Sequence, residues 1–316
     1  MEFKDYVTEV YKKVWDRLGD DYDVEIQHLP KNNGVILTGL GIRKFGEEMA
    51  LTVKLDQYFK GSTNMMPTDQ AADEIIRMYR ESKFPEISKE DLLCLDKVRG
   101  MIALKLVNTE ANRELLKSVP HIDWLGLSVV FYLLMEQSQT GQTTAMIHQG
   151  HADVWNVTAE ELFQIASENM EKLLPVRIMS MVDLMQEMIE QKLGEAFTET
   201  VKEELMDIGE IKPMYVLTNH AGIYGACYML PGMGIERLAE ELGSDLVVIP
   251  SSIHEVLAVP YEEGVDLKCL TCMLQEINLE HVPREDRLSD WVYYFDREKG
   301  MLMVGDDGEI VQESDR

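Results

Sequence analysis

The sequence predicts an α+β protein with mainly antiparallel sheets, helices packed on one face and two domains. Two observations predict the class. Short β-rich runs come in pairs joined by turn residues, as in "DVEIQHLPKNNGVILTGLGIR", and these pairs alternate with stretches of helical spacing such as "DQAADEIIRMYRES". Hairpins followed by helices make antiparallel sheets with helices on one face. The third observation is length. At 316 residues the chain exceeds one typical core of roughly 100 to 200 residues.

Taken in order, "MEFKDYVTEVYKKVWDRLG" has the spacing of an amphipathic helix over about residues 3 to 18. Residues 22 to 55 read as three short strands. Asn33-Gly34 marks the first turn, since both tolerate the positive φ of a type I′ hairpin, and "KFGE" at 44 to 47 marks the second. A surface helix over 69 to 82 completes an α-β-β-β-α opening unit ending near Pro85. The middle region, 86 to 192, reads as a strand (98 to 107), a helix capped by Asn108 or Thr109 (108 to 119), then a hairpin made of "LSVVFYLLM" and "TTAMIHQG". The helix "NVTAEELFQIASENMEKLL" starts at Thr158, whose Glu160 and Glu161 complement the helix dipole. "PVRIMSM" and a last helix to about Lys192 close the N-terminal region of residues 1 to 192.

Residues 193 to 212, polar and acidic, read as a linker, and 213 to 305 as a β-β-α-β-β-α-β-β module beginning with the hairpin "MYVLTNHAGIYGACYML". Residues 306 to 316 read as a loose acidic tail. The hairpin, helix, strand order of 127 to 181 partly echoes 214 to 250, the pattern of a divergent internal repeat.

Composition excludes several classes. With 57 acidic and 30 basic residues the net charge is −27, spread along the chain, which opposes binding to nucleic acid or to an anionic membrane. The longest apolar run, "WLGLSVVFYLLM" at 124 to 135, falls short of the roughly 20 residues a spanning helix needs. The N-terminus lacks the apolar core of a signal peptide. Four cysteines in such a chain fit reduced thiols in a cytoplasm rather than a disulfide scaffold.

The cluster "IPSSIHEVLAVP" holds Ser251, Ser252, His254 and Glu255. A serine nucleophile needs a histidine within hydrogen-bond reach and a third group to orient it. On a strand, positions two apart are spaced about 6.6 Å, too far for direct contact. No G-x-S-x-G surrounds either serine, and Pro-Ser-Ser between β-rich flanks is turn chemistry. The cluster is therefore read first as a hairpin turn. Ser252, His254 and Glu255 remain the catalytic candidates of a hydrolase, and Asn219, His220 and Ser251 the ligand-binding candidates of two polar turns. His254-Glu255 opens an H-E-x-x-H pattern that fails at Ala258.

His148 and His151, with Asp153 close by, have a spacing that could share a metal, but a helix cap serves the same residues. No metal or cofactor is expected. Cys269 and Cys272 are read as buried within an apolar helix. "GMGIER" has Arg237 where a dinucleotide loop has its third glycine, and "SQTGQTT" lacks the lysine of a phosphate loop.

The strings "NNGVILTGLGIR", "NRELLKSVPHIDWLGLSVVFYLL", "MYVLTNHAGIYGACYMLPG", "LGSDLVVIPSSIHEVLAVP" and "LSDWVYYFDREKG" together resemble an uncharacterised bacterial family, a domain of unknown function common in clostridial-type anaerobic gut bacteria. The resemblance covers nearly the whole chain and implies a bacterial cytoplasmic protein. It supplies no activity and no site residue. The expected function is non-enzymatic binding of a small ligand or a protein partner. The alternatives are a hydrolase using Ser252 and His254, and an acidic decoy that mimics nucleic acid.

Overall fold

The computed structural model describes residues 1–47, 50–61, 63–82, 87–138, 141–193, 213–306 and 309–311. It forms two compact units, residues 1–92 and 93–316.

In the first unit, α1 (Phe3–Leu18) buries Tyr6, Val7, Val10 and Val14, which recur at helical spacing, and stops at Gly19. The strands β1 (Tyr22–Pro30), β2 (Ile36–Lys44) and β3 (Leu51–Lys54) form an antiparallel sheet in that order. Asn33 and Gly34 both take positive φ, 59° and 66°, within a loop that the Lys31 N–H closes by donating to the Val35 carbonyl at 2.7 Å. The expected turn chemistry is thus present, in a loop of three residues rather than two. Helix α2 (Thr68–Glu81) and the single turn α3 (Lys89–Leu92) follow. Val24 pairs with Ile42, and Leu40 with Val53. These four pack with Tyr6 and Val10 of α1 and Ile75 of α2 in one core, so both helices cover one face of the sheet. On the outside, Lys13 and Arg17 pair with Asp69 and Asp73 of α2 at 2.7 Å.

The second unit opens with two short helices, α4 (Leu95–Val98) and α5 (Arg113–Leu116), around β4 (Ile102–Asn108). The long strand β6 (Leu127–Ser138) pairs with β4 on one side. On its other side lie β5 (His121–Trp124) and then β7 (Gly141–Met146). Helices α6 (Gln149–Trp155) and α7 (Ala159–Leu173) follow. Thr158 caps α7 as expected, in a reciprocal box with Glu161. Asn169 of α7 donates to the carbonyls of Arg99 and Ile102, fixing the helix to the start of β4.

The second sheet holds β8 (Val176–Ser180), β9 (Tyr215–Asn219), β10 (Leu246–Ile249), β11 (Val256–Pro260), β12 (Tyr293–Asp296), β13 (Met301–Asp306) and β14 (Glu309–Val311). Its order is β14-β13-β12-β10-β11-β9-β8, every pair antiparallel. Helices α8 (Met181–Leu193) and α9 (Ile235–Leu242) lie along the chain between its strands, and α10 (Leu267–Glu280) packs Leu267 and Leu274 on Val247 and Val292. The α+β class and the antiparallel sheets stand. Among the described residues no helix is long and apolar enough to cross a membrane.

Four local expectations change. The return strand expected in "IYGACYML" is a buried 3-10 helix, Gly225–Met229. The segment 214–250 therefore has one strand where 127–181 has a hairpin. The helix expected over 108–119 shrinks to a 3-10 turn and α5, because Asn108 spends its carbonyl and side chain on Asn112 and Ala111. "HIDW" forms β5, joined to β6 by a two-residue turn at Leu125 and Gly126, both with positive φ. Within the expected acidic tail, Glu309–Val311 pair with Val304–Asp306, while 307–308 and 312–316 lie outside the described residues. The expected linker, beyond Leu193, also lies outside them.

Candidate functional site

The residues that join β10 to β11 spend their polar groups on one another. The hydroxyls of Ser251 and Ser252 donate to Glu255 Oε1 at 2.9 and 2.8 Å, and the His254 N–H donates to Ser252 Oγ at 3.0 Å. Ser252 is only 7% exposed. Its hydroxyl therefore serves the turn and the Glu255 carboxylate, the pattern of a serine that satisfies local backbone.

A second turn follows β9. Asn219 closes it: its Oδ1 accepts the Ala221 N–H at 3.0 Å and its Nδ2 donates to the Ile223 carbonyl at 2.7 Å. Buried Asn219 is thus committed, while His220 is exposed. The turn ends at Tyr224 in the left-handed region, φ 50° and ψ 22°. For a bulky side chain that conformation costs roughly 1–2 kcal/mol.

The two turns meet at His254. Its carbonyl accepts the Gly225 N–H and the Thr218 hydroxyl, both at 2.9 Å, and its ring Nδ1 accepts the Tyr224 N–H at 3.2 Å. With Nδ1 accepting, the neutral ring carries its proton on Nε2, which lies 3.3 Å from Asp286 Oδ1. Asp286 closes a 3-10 turn, Arg284–Asp286, that is tied to the same loop by the Ile253 N–H donating to the Asp286 carbonyl at 2.8 Å. The approach is close enough that Gly225 has no room for a Cβ. One built there meets the His254 carbonyl oxygen at 2.6 Å and Thr218 Cα at 2.7 Å.

Around this junction the first sheet of the unit supplies a cation and an aromatic. Lys105 and Ala103 share one face of β4, and Ala103 pairs with Tyr132 of β6. The Lys105 ammonium lies 4.4 Å from the Tyr224 ring centroid, and Tyr132 meets that ring edge-on at 5.2 Å. The His254 ring stacks on Tyr224 at 5.7 Å and 16°. Burial, and then the Asp286 charge, push the Tyr224 hydroxyl above its ordinary range, so it is a neutral donor. Tyr132 is buried with no hydrogen-bond partner for its hydroxyl among the described residues, and burial pushes the Cys227 thiol strongly up.

Of the residues singled out from sequence, Ser251, Ser252, His254, Glu255 and Asn219 come together here. Lys105, Tyr132, Tyr224 and Asp286 were not singled out. Lys105 carried a signal, being the one charge inside the apolar run "IALKLV". His148 and His151 lie elsewhere and cap α6: the His148 N–H donates to His151 Nδ1 at 3.0 Å, and His151 stacks on Trp155 at 5.7 Å. Among the described residues no group of three or more His, Cys, Asp or Glu side chains could hold a metal ion. Cys269 and Cys272, expected to be buried, are both exposed.

A family model described as "Family of unknown function (DUF5688)" matches residues 3–297, and the chain belongs to that family. No curated protein and no solved structure matches it.

Proposed function

We propose that this member of the DUF5688 family is a non-enzymatic cytoplasmic protein that binds a small polar ligand where the turns at 219–224 and 250–255 meet. The observation that carries the reading is Tyr224. A half-buried aromatic residue is held in a costly left-handed conformation by backbone and imidazole contacts from a second turn, beside a cation and a carboxylate. Strain of this kind persists where the surrounding structure over-determines it, and it concentrates at ligand clamps. The junction gathers a cation, an aromatic ring and a carboxylate, the kinds of group that orient a small polar molecule.

Binding fits the histidine better than catalysis does. Both ring nitrogens of His254 have partners within the turn cluster, and Ser252 Oγ donates to Glu255. A base whose accepting nitrogen already holds a backbone N–H has no lone pair for a substrate proton. The acidic balance, −27, weighs against a phosphate-rich macromolecule. The free cysteines support a reducing compartment.

Thermal unfolding of the purified chain against metabolites, nucleotides and divalent metals tests the reading. A ligand at about 100 times its Kd stabilises by about 2.7 kcal/mol. The expected result is a stabilising compound whose effect disappears in Tyr224→Asn, a residue that tolerates the left-handed region, and weakens in Asp286→Asn. A shift that survives Tyr224→Asn but is lost in Ser252→Ala would overturn the assignment in favour of the serine turn. No shift with any compound would favour a protein partner.

A further inference from the structure

We infer that Cys269 and Cys272 form a redox-active dithiol that exchanges with low-molecular-weight disulfides. Helix α10 begins at Leu267 with Asp266 as its cap, the Asp266 carboxylate accepting the Cys269 N–H at 2.9 Å. Cys269 therefore lies in the first turn of a 14-residue helix and Cys272 in the second. The helix turns Leu267 and Leu274 to the sheet and leaves both cysteines exposed.

Residues three apart share one side of a helix. From the helical rise and radius their Cα atoms lie about 5 Å apart. That falls within the roughly 4.4–6.8 Å of a disulfide's Cα atoms, and the Cβ atoms, about 5–6 Å apart at this spacing, close to about 4.5 Å by a local tightening of the turn. The other thiols do not meet these conditions: Cys227 is buried, and neither it nor the exposed Cys94 has a second cysteine near it in the sequence.

The exchange balances with one small disulfide as oxidant. The Cys269 thiolate attacks one sulfur of the disulfide, giving a mixed disulfide and one released thiolate. Cys272 then attacks Cys269 Sγ in that mixed disulfide, closing the Cys269–Cys272 bond and releasing the second thiolate. The two protons lost by the cysteines end on the two released thiols. The protein is oxidised by two electrons, the small disulfide is reduced by two, and a small dithiol reverses the process.

The test uses the full chain equilibrated with graded ratios of reduced and oxidised glutathione, quenched with an alkylating reagent and mapped by peptide mass. The expected product is a closed Cys269–Cys272 disulfide whose ratio to the dithiol rises with the oxidised glutathione concentration divided by the square of the reduced. Single-site glutathione capture follows only the first power. Cys272→Ser should stop at a glutathione adduct on Cys269, with the fold kept by far-UV dichroism. Full alkylation of both cysteines at every ratio would overturn the assignment. So would glutathione adducts on both that never close. The wild-type map alone decides between these outcomes, so the result does not depend on a variant folding.

Discussion

Gly225 sets how closely the two polar turns approach. Its N–H reaches the His254 carbonyl at 2.9 Å, and an added Cβ would press on that oxygen and on Thr218 Cα, backbone atoms that cannot swing aside. Gly225→Ala should therefore destabilise the protein by about 1–3 kcal/mol, the range for overpacking a filled site. Urea unfolding measures it, and an unchanged midpoint would mean that the turns part without cost. The serines, Glu255 and Asn219 were legible in the sequence because turn chemistry is local: each bonds within five residues of itself. Tyr224, Lys105 and Asp286 were not, because strand order brings them together from three distant stretches. The cysteines were misread for another reason. Counted as apolar, they blended into the stripe of α10, whereas the side that packs inward is Leu267, Thr271, Leu274 and Asn278.

Helix starts carry local hydrogen bonds whose loss is large enough to measure. At α7, Thr158 Oγ1 accepts the Glu161 N–H at 3.2 Å while the Glu161 carboxylate accepts the Thr158 N–H at 2.9 Å. Thr158→Ala should cost about 1 kcal/mol in urea unfolding. At α6 the same geometry is built from histidines and becomes pH-dependent. Burial, and then the neighbouring His148, hold His151 below its ordinary 6.5. The unfolded chain then takes up this proton at a higher pH than the folded one does. The stability linked to His151 is complete above about 6.5 and is lost as pH falls through the folded value. Protonation at Nδ1 would also remove the acceptor of the His148 N–H. His151→Gln keeps an acceptor without the titration, so its urea midpoint should fall less than the wild type's between neutral pH and the window below 6.5. Equal falls would assign the acid sensitivity to other groups. Periodicity announced α1, α2, α7 and α10 because each has a buried stripe over a long stretch. It missed the 3-10 helix at Gly225–Met229, where all five residues are buried and a continuous apolar run reads equally as strand.

At the scale of the whole chain, the −27 charge and the division into two units lead to separate expectations. Spread negative charge repels itself in the compact state, so moderate salt should raise the unfolding temperature by screening it. The two-unit division bears on what can fold alone. Residues 1–92 hold a three-stranded sheet whose strands, among the described residues, pair only with one another, and a core that runs from Tyr6 to Tyr79. A chain of this size buries little more than about 60% of its unfolded surface, so it is near the lower limit at which one core suffices. The ion pairs of Lys13 and Arg17 with α2 are exposed and add little. Stability must come from Tyr6, Val10, Leu40, Ile42, Val53 and Ile75, all fully or nearly fully buried. A fragment of residues 1–92 is therefore expected to be folded but weak, with cooperative urea unfolding at a low midpoint. Ile75→Ala within it should abolish the transition, since such a cavity costs about 2–5 kcal/mol. A fragment without a cooperative transition would mean that this core depends on residues beyond 92, and the two units would then have to be treated as one folding unit.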